Sequence, residues 1–138
     1  MSDIRVFFGS LTGKWDIERT INASHKLYGQ ANYQKSAPDE LLYSENCFDQ
    51  NNQRFEKKYY YSLITLNEKH IINIYLKPKK NDLFAEVRDL SDNKYHEYKC
   101  KKDLYKYSIE SMLKNKFITH CQITGPNKNY IIKTLYRR

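Results

Sequence analysis

The chain is poor in residues that punctuate or staple a fold: its 138 residues include four glycines, three prolines, three cysteines and one tryptophan. Without a Pro-, Gly- or Ser-rich stretch there is no linker, and residues 1–138 are expected to form a single domain. A chain of this length buries roughly two-thirds of its unfolded surface. An odd number of widely spaced cysteines argues against a disulfide framework and fits a reducing cytoplasm. Apolar runs are as short as "VFF" and "II", so no segment reads as a membrane span. The opening "MSDIRVFFGSLTGKW" lacks a basic start followed by a sustained apolar core, and does not read as a secretory signal.

Familiar catalytic motifs are missing too. There is no G-x-S-x-G, no phosphate loop and no dinucleotide fingerprint, and nothing resembles a nucleophile with its base. Cys47, Cys100, Cys121, His96 and His120 form no C-x-x-C or H-x-x-x-H, and His120 and Cys121 point to opposite strand faces. No metal is expected. Haem held through one histidine would use His96 or His120, but a lone strand histidine is more often a surface or core residue. No cofactor is assigned, and no residue is assigned as catalytic on motif grounds.

What is abundant is positive charge and tyrosine. The 24 Lys and Arg against 16 Asp and Glu give a net charge of +8, which raises nucleic acid as a partner. Yet 18 of the basic residues are Lys, scattered through turns at Lys57–Lys58, Lys77 to Lys80, Lys99 to Lys102, Lys114 and Lys116. Arginine, the usual reader of base edges and phosphate forks, appears six times. The pattern describes a solvated basic surface better than a nucleic-acid interface.

After a possible short helix (Asp3 to Leu11), apolar and polar residues alternate. The alternation predicts strands at Gly13–Asn22, Gly29–Ser36, Leu41–Asp49, Arg54–Thr65, His70–Leu76, Leu83–Leu90, Lys94–Lys101, Leu104–Met112, Phe117–Thr124 and Asn129–Arg137. Turn signals such as "DQNNQ", "KPKKND", "LSDN", "LKNK" and "GPNK" separate them. About ten short antiparallel strands predict an all-β, up-and-down barrel, because closure removes exposed edges. An open sandwich is the alternative. The 13 tyrosines include alternating pairs, Tyr59 with Tyr61 and Tyr105 with Tyr107, which suit a half-polar cavity; tyrosine also favours strands in general.

In "GSLTGKWDIERTI", Trp15, Ile17, Arg19 and Ile21 share one strand face. Arg19 is the exception on an apolar face, and is either paired or available to a ligand. Glu45 sits likewise on a face with Leu41 and Tyr43. One reading is a structural ion pair that orders the interior. The other has Arg19 hold a carboxylate or phosphate by a two-toothed contact, Glu45 orient it, and Tyr59, Tyr61 and Tyr107 form the walls. "GPNK" reads first as a hairpin turn; in the functional reading Lys128 and Tyr130 line the open mouth and meet an anionic group. Asp103, ahead of Tyr105, reads first as a turn-capping carboxylate.

"GKW" at the start of the first strand resembles the G-x-W signature of lipocalins and other calycins. That resemblance implies that Gly13 and Trp15 close one end of a barrel, with an arginine from the last strand, Arg137 or Arg138 of "TLYRR", packed across the indole. A closer resemblance covers nearly the whole chain, to the calycin-like domain-of-unknown-function 6314 family. It rests on L-x-G-x-W-x-x-x-R-x-I (Leu11, Gly13, Trp15, Arg19, Ile21), G-x-A-x-[FY] (Gly29, Ala31, Tyr33), Y-x-E (Tyr43, Glu45), C-x-x-D-x-Y (Cys100, Asp103, Tyr105) and G-P-x-K-x-Y (Gly125, Pro126, Lys128, Tyr130). The chain departs from the family where it has Tyr98 in place of a His, and Phe84–Ala85 in place of F-H. The resemblance implies a fold and no activity.

The sequence thus reads as a cytoplasmic calycin-like barrel binding a small, partly aromatic or amphipathic anionic molecule. The ligand-binding set is Arg19, Glu45, Tyr59, Tyr61, Tyr98, Tyr105, Tyr107, Lys128 and Tyr130. Two alternatives stand beside it: an enzyme acting on such a molecule with Glu45 or Asp103 as acid/base, and a basic-surface interaction or nucleic-acid-binding protein. Oligomeric state is not assigned.

Overall fold

The computed structural model describes residues 3–91, 93–113 and 115–138; Asp92 of "LSDN" and Lys114 of "LKNK" lie outside the described residues. The alternation is realised as ten strands: β1 (Gly13–Ile21), β2 (His25–Ala37), β3 (Glu40–Phe48), β4 (Arg54–Leu66), β5 (Lys69–Lys77), β6 (Asn81–Val87), β7 (His96–Cys100), β8 (Asp103–Leu113), β9 (Lys116–Gly125) and β10 (Lys128–Arg137). On β1, Trp15, Ile17 and Arg19 are buried while Lys14 and Asp16 are exposed, as expected of a strand with one face on a core.

All ten strands belong to one sheet, ordered β6-β5-β4-β3-β2-β1-β10-β9-β8-β7, with antiparallel neighbours throughout. Because β1 pairs with β10, from Asp16↔Arg137 to Ile21↔Ile132, the meander curls into a nearly closed barrel. Among the described residues, no ladder joins the two edge strands, β6 and β7.

Strand ends differ from the sequence reading for local reasons. β2 begins at His25 rather than Gly29, because Asn22 and Ala23, at φ 52° and 62°, make the reversal. Gly29 lies inside the strand instead. A Cβ there would fall 1.8 Å from the Asn46 carbonyl oxygen, so glycine permits the close approach of β2 to β3. β6 stops at Val87 rather than Leu90, and Leu90 folds back into the core. β7 begins at His96 rather than Lys94.

One end of the barrel is sealed by the helix. Asp3 caps α1 (Ile4–Ser10), its Oδ1 accepting from the Arg5 and Val6 amides at 2.9 and 3.3 Å. Phe7 meets Phe117 edge-on at 5.2 Å; Phe117 meets Trp15 at 4.9 Å and stacks on Tyr136 at 4.3 Å. Trp15 donates its Nε1–H to the Leu11 carbonyl at 2.8 Å. Of the two terminal arginines, Arg138 covers the indole, its guanidinium 4.0 Å from the ring centroid. It also donates to the carbonyls of Thr12, at 2.8 Å, and Ser10, at the C-terminal end of α1 where a cation is favoured. Gly13, at φ 116°, leaves room for it. Arg137 is exposed.

Between β6 and β7 side chains bridge the gap. The Tyr98 hydroxyl donates to Asp82 Oδ1 at 3.1 Å, and Phe84 packs on Tyr98 at 5.5 Å and on Tyr107 at 5.2 Å. Among the described residues no helix is long and apolar enough to cross a membrane.

Trp15 is 3% exposed, so its fluorescence should be blue-shifted and shielded from iodide. Trp15→Ala should lower stability by about 3–5 kcal/mol. Arg138→Ala should cost about 1 kcal/mol, and Arg137→Ala less than about 0.5 kcal/mol. Equal effects of the two arginine substitutions in urea melts would contradict this assignment.

Candidate functional site

The buried charges meet across three strands. Arg19 on β1 forms a two-toothed pair with Glu45 on β3, Nη1 to Oε2 at 2.6 Å and Nη2 to Oε1 at 2.8 Å. The inward residues of intervening β2 there are Gly29 and Ala31, which pair with Cys47 and Glu45. The small Ala31 leaves the guanidinium room to reach across, while Gly29 admits the β3 backbone. Arg19 Nε donates to Thr134 Oγ1 at 2.8 Å. The Tyr43 hydroxyl donates to Glu45 Oε1 at 2.5 Å and lies 2.8 Å from the Tyr136 hydroxyl. Arg19 is 7% exposed and Glu45 2%, so these contacts replace water for both charges.

Electrostatics follow from this packing. Burial pushes the Glu45 carboxyl up, but hydrogen bonds and charge from Arg19 outweigh it and hold the carboxyl below its ordinary value. Burial likewise opposes the charge of Arg19, and Glu45 more than restores it. Burial raises the Tyr33, Tyr43, Tyr61 and Tyr107 phenols well above their usual 10.0, and pushes Tyr136 up to about 12. It pushes the Cys121 thiol up to about 11, which keeps it protonated and a poor nucleophile.

Beside the ion pair lies a cavity of about 360 Å³. Of the residues singled out in the sequence, Arg19, Glu45, Tyr59, Tyr61, Tyr98, Tyr105 and Tyr107 line it together. Lys128 and Tyr130 do not. Lys128 Nζ is 3.0 Å from Asp103 Oδ2, which ties the β7–β8 and β9–β10 turns together at the rim. Tyr130, 40% exposed, lines an adjoining space nearer the β9–β10 turn. His120 lies 3.1 Å from Glu110, and among the described residues no group of three His, Cys, Asp or Glu is placed to hold a metal ion.

Lys57 lines the cavity but escaped the sequence reading, which treated it as one of the scattered turn lysines. The signal was there: Lys57 shares a strand face with Tyr59 and Tyr61. It stands opposite Glu45 in the β3–β4 ladder. Burial first, and then the charge of Arg19, draws its ammonium below the ordinary value; the residue also reaches solvent, which screens that effect. None of the ion pairs among the described residues includes Lys57. Arg19, Lys57 and Glu45 therefore leave the cavity wall with one surplus positive charge.

Comparison with solved structures supports the architecture. The S-type phycobiliprotein lyase CPES from Guillardia theta is similar at a TM-score of 0.66 and 10% identity, over 99% of this chain and 93% of that one. A redesigned β-barrel, mFAP1, solved bound to DFHBI, is similar at 0.56 and 11%, over 95% and 97%. A de novo designed fluorescence-activating β-barrel is similar at 0.57 and 9%, over 100% and 99%. At these identities the likeness is one of fold. No curated protein matches the sequence. The family model described as "Family of unknown function (DUF6314)" matches residues 11–138, and the chain belongs to that family.

Proposed function

We propose that the protein binds a small, partly aromatic or amphipathic molecule carrying negative charge, inside the barrel. The observation that carries this reading is the surplus positive charge of Arg19 and Lys57 over Glu45 on an aromatic-walled cavity of about 360 Å³. Small-ligand sites occupy roughly 300–1,000 Å³, are mostly apolar, and carry a few placed polar groups. Three of the similar barrels were solved with a small molecule, DFHBI. Arg19 is mainly the scaffold of this site, since Glu45 and Thr134 engage it, and Lys57 is the cation open to a ligand. Free Cys47, Cys100 and Cys121 suit a reducing cytoplasm. Acid/base chemistry by Glu45 finds less support, because Arg19 and Tyr43 occupy its oxygens and favour the ionised form. Asp103 does not line the cavity and is paired with Lys128.

Anilinonaphthalene sulfonate should bind the wild-type protein with a blue-shifted, enhanced emission. Lys57→Met should weaken it roughly tenfold, equivalent to about 1.4 kcal/mol, and reduce its salt dependence, with little change in melting temperature. A folded wild-type protein that binds no anionic probe would overturn the reading.

Arg19→Met or Glu45→Gln alone should destabilise by about 3–5 kcal/mol, because each strands a buried partner. The double variant Arg19→Met/Glu45→Leu should recover much of that loss, and urea melts of the four proteins should show strong non-additivity. Additive losses would mean that the pair is not coupled.

The acid limb of stability should trace to Glu45. Its folded pKa lies below its ordinary 4.5, so its contribution is complete above that pH and fades as pH falls through the depressed value. Melting temperature should therefore drop in the wild type as pH falls below the ordinary 4.5 and through the depressed value, and drop less steeply in the double variant.

A further inference from the structure

The space within the barrel has two chambers with unlike walls. The inner one is faced by Tyr59, Tyr98, Tyr105, Tyr107 and Phe84, so hydroxyls interrupt its apolar surface. The second, of about 540 Å³, lies toward the β1–β2 and β9–β10 turns. It is faced by Ile21, Leu27, Phe55 and Ile132, with Asn22, Ser24, His25 and the half-exposed Tyr130 beside the turns. Arg19, Lys57, Ile123 and Ile132 line both. The two cations thus stand at the junction, where the chambers adjoin.

Position and charge together restrict the ligand. A molecule with a terminal acid places that acid at the junction and fills one chamber, leaving the other wall wet. A molecule that fills both must carry its acid between two arms. One surplus positive charge matches one negative charge, and a dianion over-neutralises it. Resting on the anion-binding reading above, we infer that the ligand is an elongated monoanion with a central acidic linkage, such as a phosphodiester. Its aromatic, hydrogen-bonding arm occupies the inner chamber and its aliphatic arm the outer one. The phenols Tyr98 and Tyr107 face the first arm, and Ile21 and Leu27 face the second.

Three synthetic diesters with the same single charge test this: methyl phenyl phosphate, methyl octyl phosphate and octyl phenyl phosphate, each titrated against bound anilinonaphthalene sulfonate. Octyl phenyl phosphate should displace the dye at concentrations lower by roughly tenfold or more than either methyl ester, as burial of both arms requires. Leu27→Trp fills the outer chamber and should remove the advantage of the octyl arm while sparing methyl phenyl phosphate. Leu76→Trp, on the inner chamber alone, should weaken methyl phenyl phosphate and spare methyl octyl phosphate. Circular dichroism and melting curves establish that each variant is folded, and Ile21→Phe replaces Leu27→Trp if that variant is not. Dye binding with equal competition by all three diesters overturns the two-chamber inference and leaves the anion-binding reading standing. So do variants that weaken all three alike. Failure of the folded wild type to bind the dye or any diester overturns both.

Discussion

The barrel is organised around a charge pair largely withdrawn from water. Removing Arg19 and Glu45 from solvent costs several kcal/mol per ion, offset only when every polar atom finds a partner. The surrounding sequence supplies them: Thr134 on β10, and Tyr43 with its neighbour Tyr136. The pair and those partners come from the first, third and last strands, so satisfying the pair fixes how β10 seats against β1. Gly29 and Ala31 belong to the same arrangement: a larger residue at 31 would crowd the space between the two charges, and one at 29 would push β2 away from β3.

This explains why the fold was legible in the sequence and the role of Arg19 only partly so. Period-two alternation marks inner and outer faces without knowledge of the partner strand, and it located all ten strands. It also put Arg19 and Glu45 on the inner wall. Whether a buried arginine is paired depends on register between strands far apart in sequence, and Glu45 is reached across β2. Lys57 was obscured for the opposite reason. It sits among Arg54, Glu56 and Lys58 at the start of β4, where composition suggests a turn, and only its spacing from Tyr59 and Tyr61 reveals an inward face. Lys128 was read as a mouth residue, yet its nearest charge is Asp103, contributed by another hairpin.

The cavity is in part a consequence of the seam. Phe84 on β6 and Tyr98 on β7 meet where the ladder is interrupted, and both line the inner chamber. Ala85 and Tyr98 lie on these two facing strands. Rings and a Tyr98–Asp82 hydrogen bond do there what backbone pairing does elsewhere. A wall closed by side chains adjusts through rotamers, whereas a wall of ladder hydrogen bonds adjusts only by breaking them.

The position of that seam also governs how the chain finds its fold. Nearly every ladder joins consecutive strands and closes locally, but β1 with β10 unites Asp16 with Arg137. Closure entropy for so distant a pairing must be lost before the contacts return anything, and high contact order slows folding. The β1–β10 ladder therefore joins two locally paired meanders, β1 to β6 and β7 to β10. Had the chain been cut between β6 and β7 and rejoined between β10 and α1, the same ten strands would form one uninterrupted series of neighbours. The order of the strands along the chain, more than their chemistry, sets the contact order of this closure.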